Sequence, residues 1–125
     1  MRYLSVKQIL LIHSMVVDET GGMHGVRNLE SLDSAAALPK QVVFKKELYP
    51  DVYTKAAVYA RTILMNHPFF DGNKRTGISV AIVFLEDNGF VFSAKVGELE
   101  KFAVNIVTKK LSIEAIAEWL KKHTR

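Results

Sequence analysis

The sequence predicts an all-α domain, a bundle of about six helices with a flap-like loop. Apolar residues recur at three- and four-residue spacing along most of the chain, and helix-starting and helix-stopping residues stand at the ends of those segments. At 125 residues the chain is long enough to close one hydrophobic core and too short for two independent folding units. Residues 1–125 are therefore read as a single domain, with no internal repeat and no linker.

Ser5 caps a first helix from about Val6 to Asp18, in which Ile9, Ile12 and Val16 share a face. Thr20-Gly21-Gly22 ends it. The stretch to Asn28 holds three glycines and reads as a mobile loop; Gly21-Gly22-Met23-His24-Gly25 has neither the preceding strand nor the spacing of a dinucleotide fingerprint. It is either a plain loop or a flap over a target site. A short helix runs from about Leu29 to Leu38, where Pro39 stops it.

Gln41 to Tyr49 stays open between a short strand, a hairpin-like flap and an irregular loop, because Val42, Val43 and Phe44 stand beside Lys45, Lys46 and Glu47. Pro50 fits a first helical turn, and Val52, Ala56, Tyr59, Ala60, Ile63 and Leu64 mark a long helix ending near Asn66, broken by His67-Pro68. A second core helix covers about Arg75 to Asn88, apolar on most sides and so largely buried, with Gly89 as its stop. Glu98 to Lys109 and Ser112 to Lys122 are amphipathic helices, the second with Ile113, Ile116, Trp119 and Leu120 on one face.

With 49% hydrophobic and 24% charged residues the composition is that of a soluble globular protein, and no apolar run approaches the roughly 20 residues that span a bilayer. The opening segment is interrupted by Lys7, Gln8 and His13 and lacks a cleavage site, which points to the cytoplasm and away from any membrane. The absence of cysteine excludes disulfides, a thiol nucleophile and thiolate metal sites, while oxygen-ligated ions such as magnesium stay available. A net charge of +4 favours acidic partners. Lys45-Lys46, Lys109-Lys110 and Lys121-Lys122 are scattered, however, and read as solvated helix faces, so direct binding of nucleic acid is not expected.

Between the two central helices the segment His67-Pro-Phe-Phe-Asp-Gly-Asn-Lys-Arg-Thr-Gly77 crowds one imidazole, one carboxylate, one amide and two cations into a turn. Asp71-Gly72-Asn73 can curl the backbone so that successive amides face inward as an anion cradle, reinforced by the positive end of the following helix. Lys74 offers a point charge and Arg75 a planar fork for phosphate oxygens, and Asp71 is a hard oxygen ligand suited to magnesium. His67 is left as the proton acceptor. Phe69 or Phe70 should plug into the core and fix the turn. Residue chemistry alone leaves an ordinary polar turn with a helix-ending proline equally open. His13, His24 and His123 lack the carboxylate spacing of a metal site and receive no role, and Trp119 is most simply core.

The string resembles the Fic motif, His-x-Phe-x-acidic-Gly-Asn-Gly-Arg-x-x-Arg, at His67, Phe69, Asp71, Gly72, Asn73 and Arg75. It departs at Lys74, where most Fic enzymes have glycine, and at Ile78, where they have a second arginine. The lysine variant is similar to the Doc subgroup, the death-on-curing toxins, and Gly25-Val26-Arg27 through Leu32-Asp33-Ser34-Ala35 also looks like the Doc stretch of that region, although Asn28 and Glu30 stand where relatives often carry aspartate and glycine.

The resemblance implies a compact Fic fold and a toxin of a toxin–antitoxin module, a kinase that phosphorylates elongation factor Tu with ATP and Mg2+ and arrests translation. Carried over by position, His67 would deprotonate the target hydroxyl and Asp71 would hold magnesium. Gly72 and Asn73 would line the phosphate cradle, and Lys74 and Arg75 would neutralise the phosphates. No Ser/Thr-x-x-x-Glu-Gly/Asn inhibitory string is present; Ser14 to Asp18 is the nearest approach and carries the wrong acid. A brake supplied in trans is therefore expected, an antitoxin whose C-terminal segment folds on binding. The alternatives are an AMP transferase of the common Fic kind, opposed by Lys74 and Ile78, and a non-catalytic basic nucleic-acid-binding module.

Overall fold

The computed structural model describes residues 1–95 and 97–125. Among them are six α-helices: α1 (Val6–Thr20), α2 (Leu29–Ala37), α3 (Val52–Asn66), α4 (Asn73–Asp87), α5 (Glu98–Thr108) and α6 (Ile113–Lys122). A 3₁₀ turn at Leu38–Lys40 leads into a two-stranded antiparallel hairpin of β1 (Val42–Val43) and β2 (Lys46–Glu47). The all-α bundle expected from the sequence is the fold observed.

The helices begin where side chains satisfy their first amides. Ser5 and Gln8 form a reciprocal capping box at the start of α1, the Ser5 hydroxyl accepting from the Gln8 N–H and the Gln8 side chain from the Ser5 N–H. The side chains of Asn28, Asp51 and Ser112 cap α2, α3 and α6 by accepting from the N–H groups of Ser31, Thr54 and Ala115, without the reciprocal bond. The boundaries differ from expectation at four places. α1 runs on to Thr20, whose hydroxyl bonds back to the Val16 carbonyl, before Gly21 closes it with φ 83°. Pro39 does not cut the chain at Leu38; it sits in the first turn of a 3₁₀ segment, where its missing N–H costs nothing. Pro50 lies outside α3, because Asp51 is the cap. α4 starts at Asn73, two residues earlier than expected, because Gly72 at φ 78° makes the turn that starts the helix.

α3 is the centre of the molecule and packs against α4, α6 and α2. Its approach to α4 is close enough to require glycine: a β-carbon at Gly77 would lie 3.1 Å from the Ala60 carbonyl oxygen and 3.4 Å from the Ile63 β-carbon. Since α3 delivers one end of the His67–Arg75 segment and α4 the other, this contact fixes the gap that the segment spans. Trp119 is half-buried, stacked between Phe102 and His123 at centroid distances of 3.8 Å.

The stretch left open between strand, flap and loop is a hairpin. Its tip, Phe44 and Lys45, has φ 49° and 63°, the left-handed pair that a two-residue hairpin turn requires but that sequences usually meet with Asn or Gly. Phe44 is 95% exposed. The base of the hairpin is tied to α3 by Lys55, whose buried ammonium donates to the Glu47 carboxylate at 3.0 Å and to the carbonyls of Tyr49 and Pro39. Burial opposes the charge on Lys55, but the bonds to Glu47 and Tyr3 prevail and raise its pKa, so the ammonium is retained.

Candidate active site

α3 ends at His67, which adopts the left-handed conformation (φ 48°) and donates its N–H to the Ile63 carbonyl at 3.1 Å. Pro68 follows and disfavours right-handed helix at the residue before it. The imidazole of His67 is exposed and has no hydrogen-bond partner among the described residues. Of the two phenylalanines only Phe69 plugs into the core, at 1% exposure; Phe70 is 52% exposed.

Asn73 closes the turn on itself. Its side-chain carbonyl accepts from the Phe69 N–H at 3.0 Å and its amide donates to the Phe69 carbonyl at 2.9 Å, all of it buried. The side chain is thus used up in shaping the turn, and only the backbone N–H of Asn73 faces an incoming anion. The N–H groups of Asn73, Lys74 and Arg75 are the first of α4, ahead of the first intrahelical bond from Thr76 N–H to the Gly72 carbonyl at 2.9 Å. Gly72 offers no side-chain cap, unlike the caps of α1, α2, α3 and α6. The start of α4 is an uncapped cluster of donors at the positive end of a helix, which is what a phosphate group binds.

The N-terminal third of the chain braces this turn in ways that sequence reading did not find. His13, assigned no role from sequence, is 3% exposed. It stacks on Phe69 with centroids 3.7 Å apart and rings 5° from parallel. Its Nε2–H donates to the Asp71 carbonyl at 2.8 Å, since a carbonyl can only accept. Burial lowers the pKa of His13, aided by His24 and opposed by the bond to Asp71, so the ring is held neutral. The stretch 21–28, open in sequence between plain loop and flap, lies against the turn. The Met23 N–H donates to the Asp71 carboxylate at 2.7 Å, Gly25 accepts from the Phe70 N–H at 3.4 Å, and the Arg27 and Asn28 N–H groups share the Pro68 carbonyl at 2.7 and 3.0 Å. The Arg27 guanidinium reaches the His67 carbonyl with Nε at 2.7 Å and the Asn66 carbonyl with Nη2 at 2.8 Å.

Beside the cradle opens a cleft of about 330 Å³, bounded by Lys74 and Arg75 together with Val16, Ile78, Leu99 and Glu100. Arg75 is half-exposed, 3.9 Å from the Glu100 carboxylate. Ile78 is 3% exposed, so the position of the second arginine in the Fic pattern is a buried apolar side chain at the wall of the cleft. Among the described residues no three His, Cys, Asp or Glu side chains gather into a metal site. Asp71 commits one carboxylate oxygen to Met23 and keeps the other. That single hard oxygen beside a phosphate cradle fits magnesium held jointly with phosphates, the usual way this ion is bound, and does not fit an all-protein cage.

Comparison with known proteins agrees with the motif. The family model described as the Fic/DOC family matches residues 3–85, which include every residue of the turn and its braces. Over 117 residues the chain is 32% identical to "Toxin Doc" of Mycolicibacterium smegmatis, covering 92% of this chain and 88% of that protein. It is 27% identical over 123 residues to "Protein kinase doc" of Escherichia phage P1, covering 98% and 95% of the two chains. The matched segment, the site it contains and the two relatives together make this chain a member of the Fic/DOC family, in its Doc branch.

Proposed function

We propose that the protein is the toxin of a toxin–antitoxin pair, a cytoplasmic kinase that transfers the γ-phosphoryl group of ATP to a hydroxyl of a translation protein, with elongation factor Tu the expected target and growth arrest the outcome. The observation that carries this reading is the convergence, on one turn between α3 and α4, of an imidazole with no partner among the described residues, a carboxylate with one oxygen committed to Met23, and a helix start without a side-chain cap that carries Lys74 and Arg75. The names of the two relatives, a toxin and a protein kinase, agree with it.

In this mechanism His67 takes the proton of the target hydroxyl as its oxygen attacks the γ-phosphorus, the bond from the γ-phosphorus to the β–γ bridging oxygen breaks, and ADP leaves. The backbone N–H groups at the start of α4 and the cations of Lys74 and Arg75 hold the nucleotide phosphates and offset the charge that builds on them. Asp71 would hold magnesium, which when bound supplies positive charge at the phosphates. Positioning and electrostatics provide most of the catalysis in such a transfer. The buried Ile78, where AMP transferases of this family place an arginine, lacks that cation's clamp on the outer phosphates and favours phosphoryl over AMP transfer.

The apolar cleft walls beside Lys74 and Arg75, formed by Val16, Leu99 and Val104, are the surface on which we expect the C-terminal segment of the antitoxin to fold. ATP labelled at the γ or the α phosphate, incubated with magnesium and bacterial lysate, tests the reaction. The γ label on a lysate protein, lost in His67→Ala, is expected; α label transferred would establish an AMP transferase instead. Co-expression with the neighbouring reading frame should yield a complex and relieve toxicity.

A further inference from the structure

We propose that Arg27 is a positioning residue for the transfer: its guanidinium fork, spanning the carbonyls of Asn66 and His67, fixes the backbone from which the imidazole of His67 is aimed.

His67 has φ 48°, a conformation that residues with a β-carbon seldom adopt, so something outside the residue must keep it there. The last carbonyls of α3 have no intrahelical donor, and a cation at that end of a helix meets the negative end of its dipole. Arg27 meets both needs with two directed N–H groups. Its own backbone is immobilised by the bonds that it and Asn28 make to Pro68, so the guanidinium does not wander. The imidazole of His67 has no partner among the described residues, so the one constraint on where it reaches is the Cα–Cβ direction that the backbone sets. The Asp71 side of the turn is held by separate ties: the Asn73 side chain to Phe69, the His13 ring to the Asp71 carbonyl, and the Met23 N–H to the Asp71 carboxylate. Loosening Arg27 therefore misaims the base while leaving the nucleotide cradle in place.

This role rests on His67 being the base of the proposed transfer. The test uses the full chain and its Arg27→Gln, Arg27→Lys, Arg27→Ala and His67→Ala variants. For each, three quantities are measured: the rate of γ-phosphoryl transfer to the lysate acceptor at saturating ATP, the affinity for a non-hydrolysable ATP analogue with magnesium, and the melting temperature. Arg27→Gln should slow transfer roughly tenfold to a hundredfold, the range a small misplacement of a reacting group produces, with analogue affinity and melting unchanged. Arg27→Lys should fall between wild type and Arg27→Gln, because an ammonium is a point charge and cannot span two carbonyls as a fork. Methylguanidinium should restore part of the rate of Arg27→Ala and none of that of His67→Ala. If Arg27→Gln melts early, Arg27→Lys carries the same comparison.

Wild-type rates in the Arg27 variants, with His67→Ala inactive, would overturn the assignment of Arg27 and leave the kinase reading intact. Analogue affinity or stability falling in step with rate in both Arg27→Gln and Arg27→Lys would overturn it too, since Arg27 would then serve the fold and not the base. Full transfer by His67→Ala would remove the base itself, and Arg27's role with it.

Discussion

A single buried contact shows how much of the site depends on residues far from it in sequence. His13 lies on α1, yet its ring packs face to face on Phe69 and its Nε2–H holds the Asp71 carbonyl. Because burial depresses its pKa, the folded state keeps His13 neutral while the unfolded chain protonates it near pH 6.5. Stability from this residue is therefore full above pH 6.5 and is lost as pH falls through the lowered folded value. The melting temperature should drop on acidification more steeply in wild type than in His13→Gln, which keeps a donor but does not titrate; equal slopes would show that His13 contributes no linkage. Asn73 makes a second prediction at this scale. Asn73→Ala leaves the buried N–H and C=O of Phe69 unpaired, at about 1–3 kcal/mol for each. Denaturant unfolding should show a loss of at least about 2 kcal/mol, and nucleotide binding should weaken with it. The sequence marked Asn73 for the backbone cradle, and the structure adds what the motif does not state: the side chain is committed to the Phe69 N–H and carbonyl and so shapes the turn. The roles of His13 and Arg27 could not be found in this way, because a lone histidine without metal-site spacing carries no local signal, and Arg27 stood in the Doc-like stretch with no partner in view. Their partners lie 58 and 39–40 residues away, beyond any periodicity or local spacing.

Among the elements, helices were legible because their signals are local. Ser5 with Gln8 and Ser112 with Ala115 are caps that span three residues. The hairpin was not legible, since Phe44 and Lys45 take left-handed conformations without the glycine or asparagine that announces such a turn. The strand pair is short, and what holds it is Lys55 from α3. Lys55→Met keeps the stem buried but removes every donor to Glu47, Tyr49 and Pro39. Amide hydrogen exchange should then accelerate through Val42–Glu47 while α3 and α4 stay protected; unchanged exchange in the hairpin would mean that Lys55 is not its anchor. The α3–α4 crossing is equally specific. Gly77→Ala forces a β-carbon against the Ala60 carbonyl and the Leu64 side chain, and overpacking of this kind costs about 1–3 kcal/mol. A lowered melting temperature is expected, together with reduced nucleotide affinity, because the two helices set the spacing across the turn.

Over the whole molecule, the central pair α3 and α4 forms a rigid frame, α1 and the loop after it brace the turn, and α5 closes one side of the cleft beside Lys74 and Arg75. The all-helical class and the turn on which the proposed chemistry is placed were visible from sequence because both rest on short-range patterns, whereas the bracing was not, because it is built from tertiary contacts between the first third of the chain and its middle. In the proposed kinase, Lys74 and Ile78 are the two departures from the Fic pattern that favour phosphoryl over AMP transfer. The most direct measurement is the mass of the modified lysate protein after reaction with ATP and magnesium, taken with wild type and with His67→Ala. A phosphoryl increment on the acceptor with wild type and no increment with His67→Ala is the expected result. A nucleotidyl increment, or a phosphoryl increment that persists in His67→Ala, would contradict a kinase that uses His67 as its base.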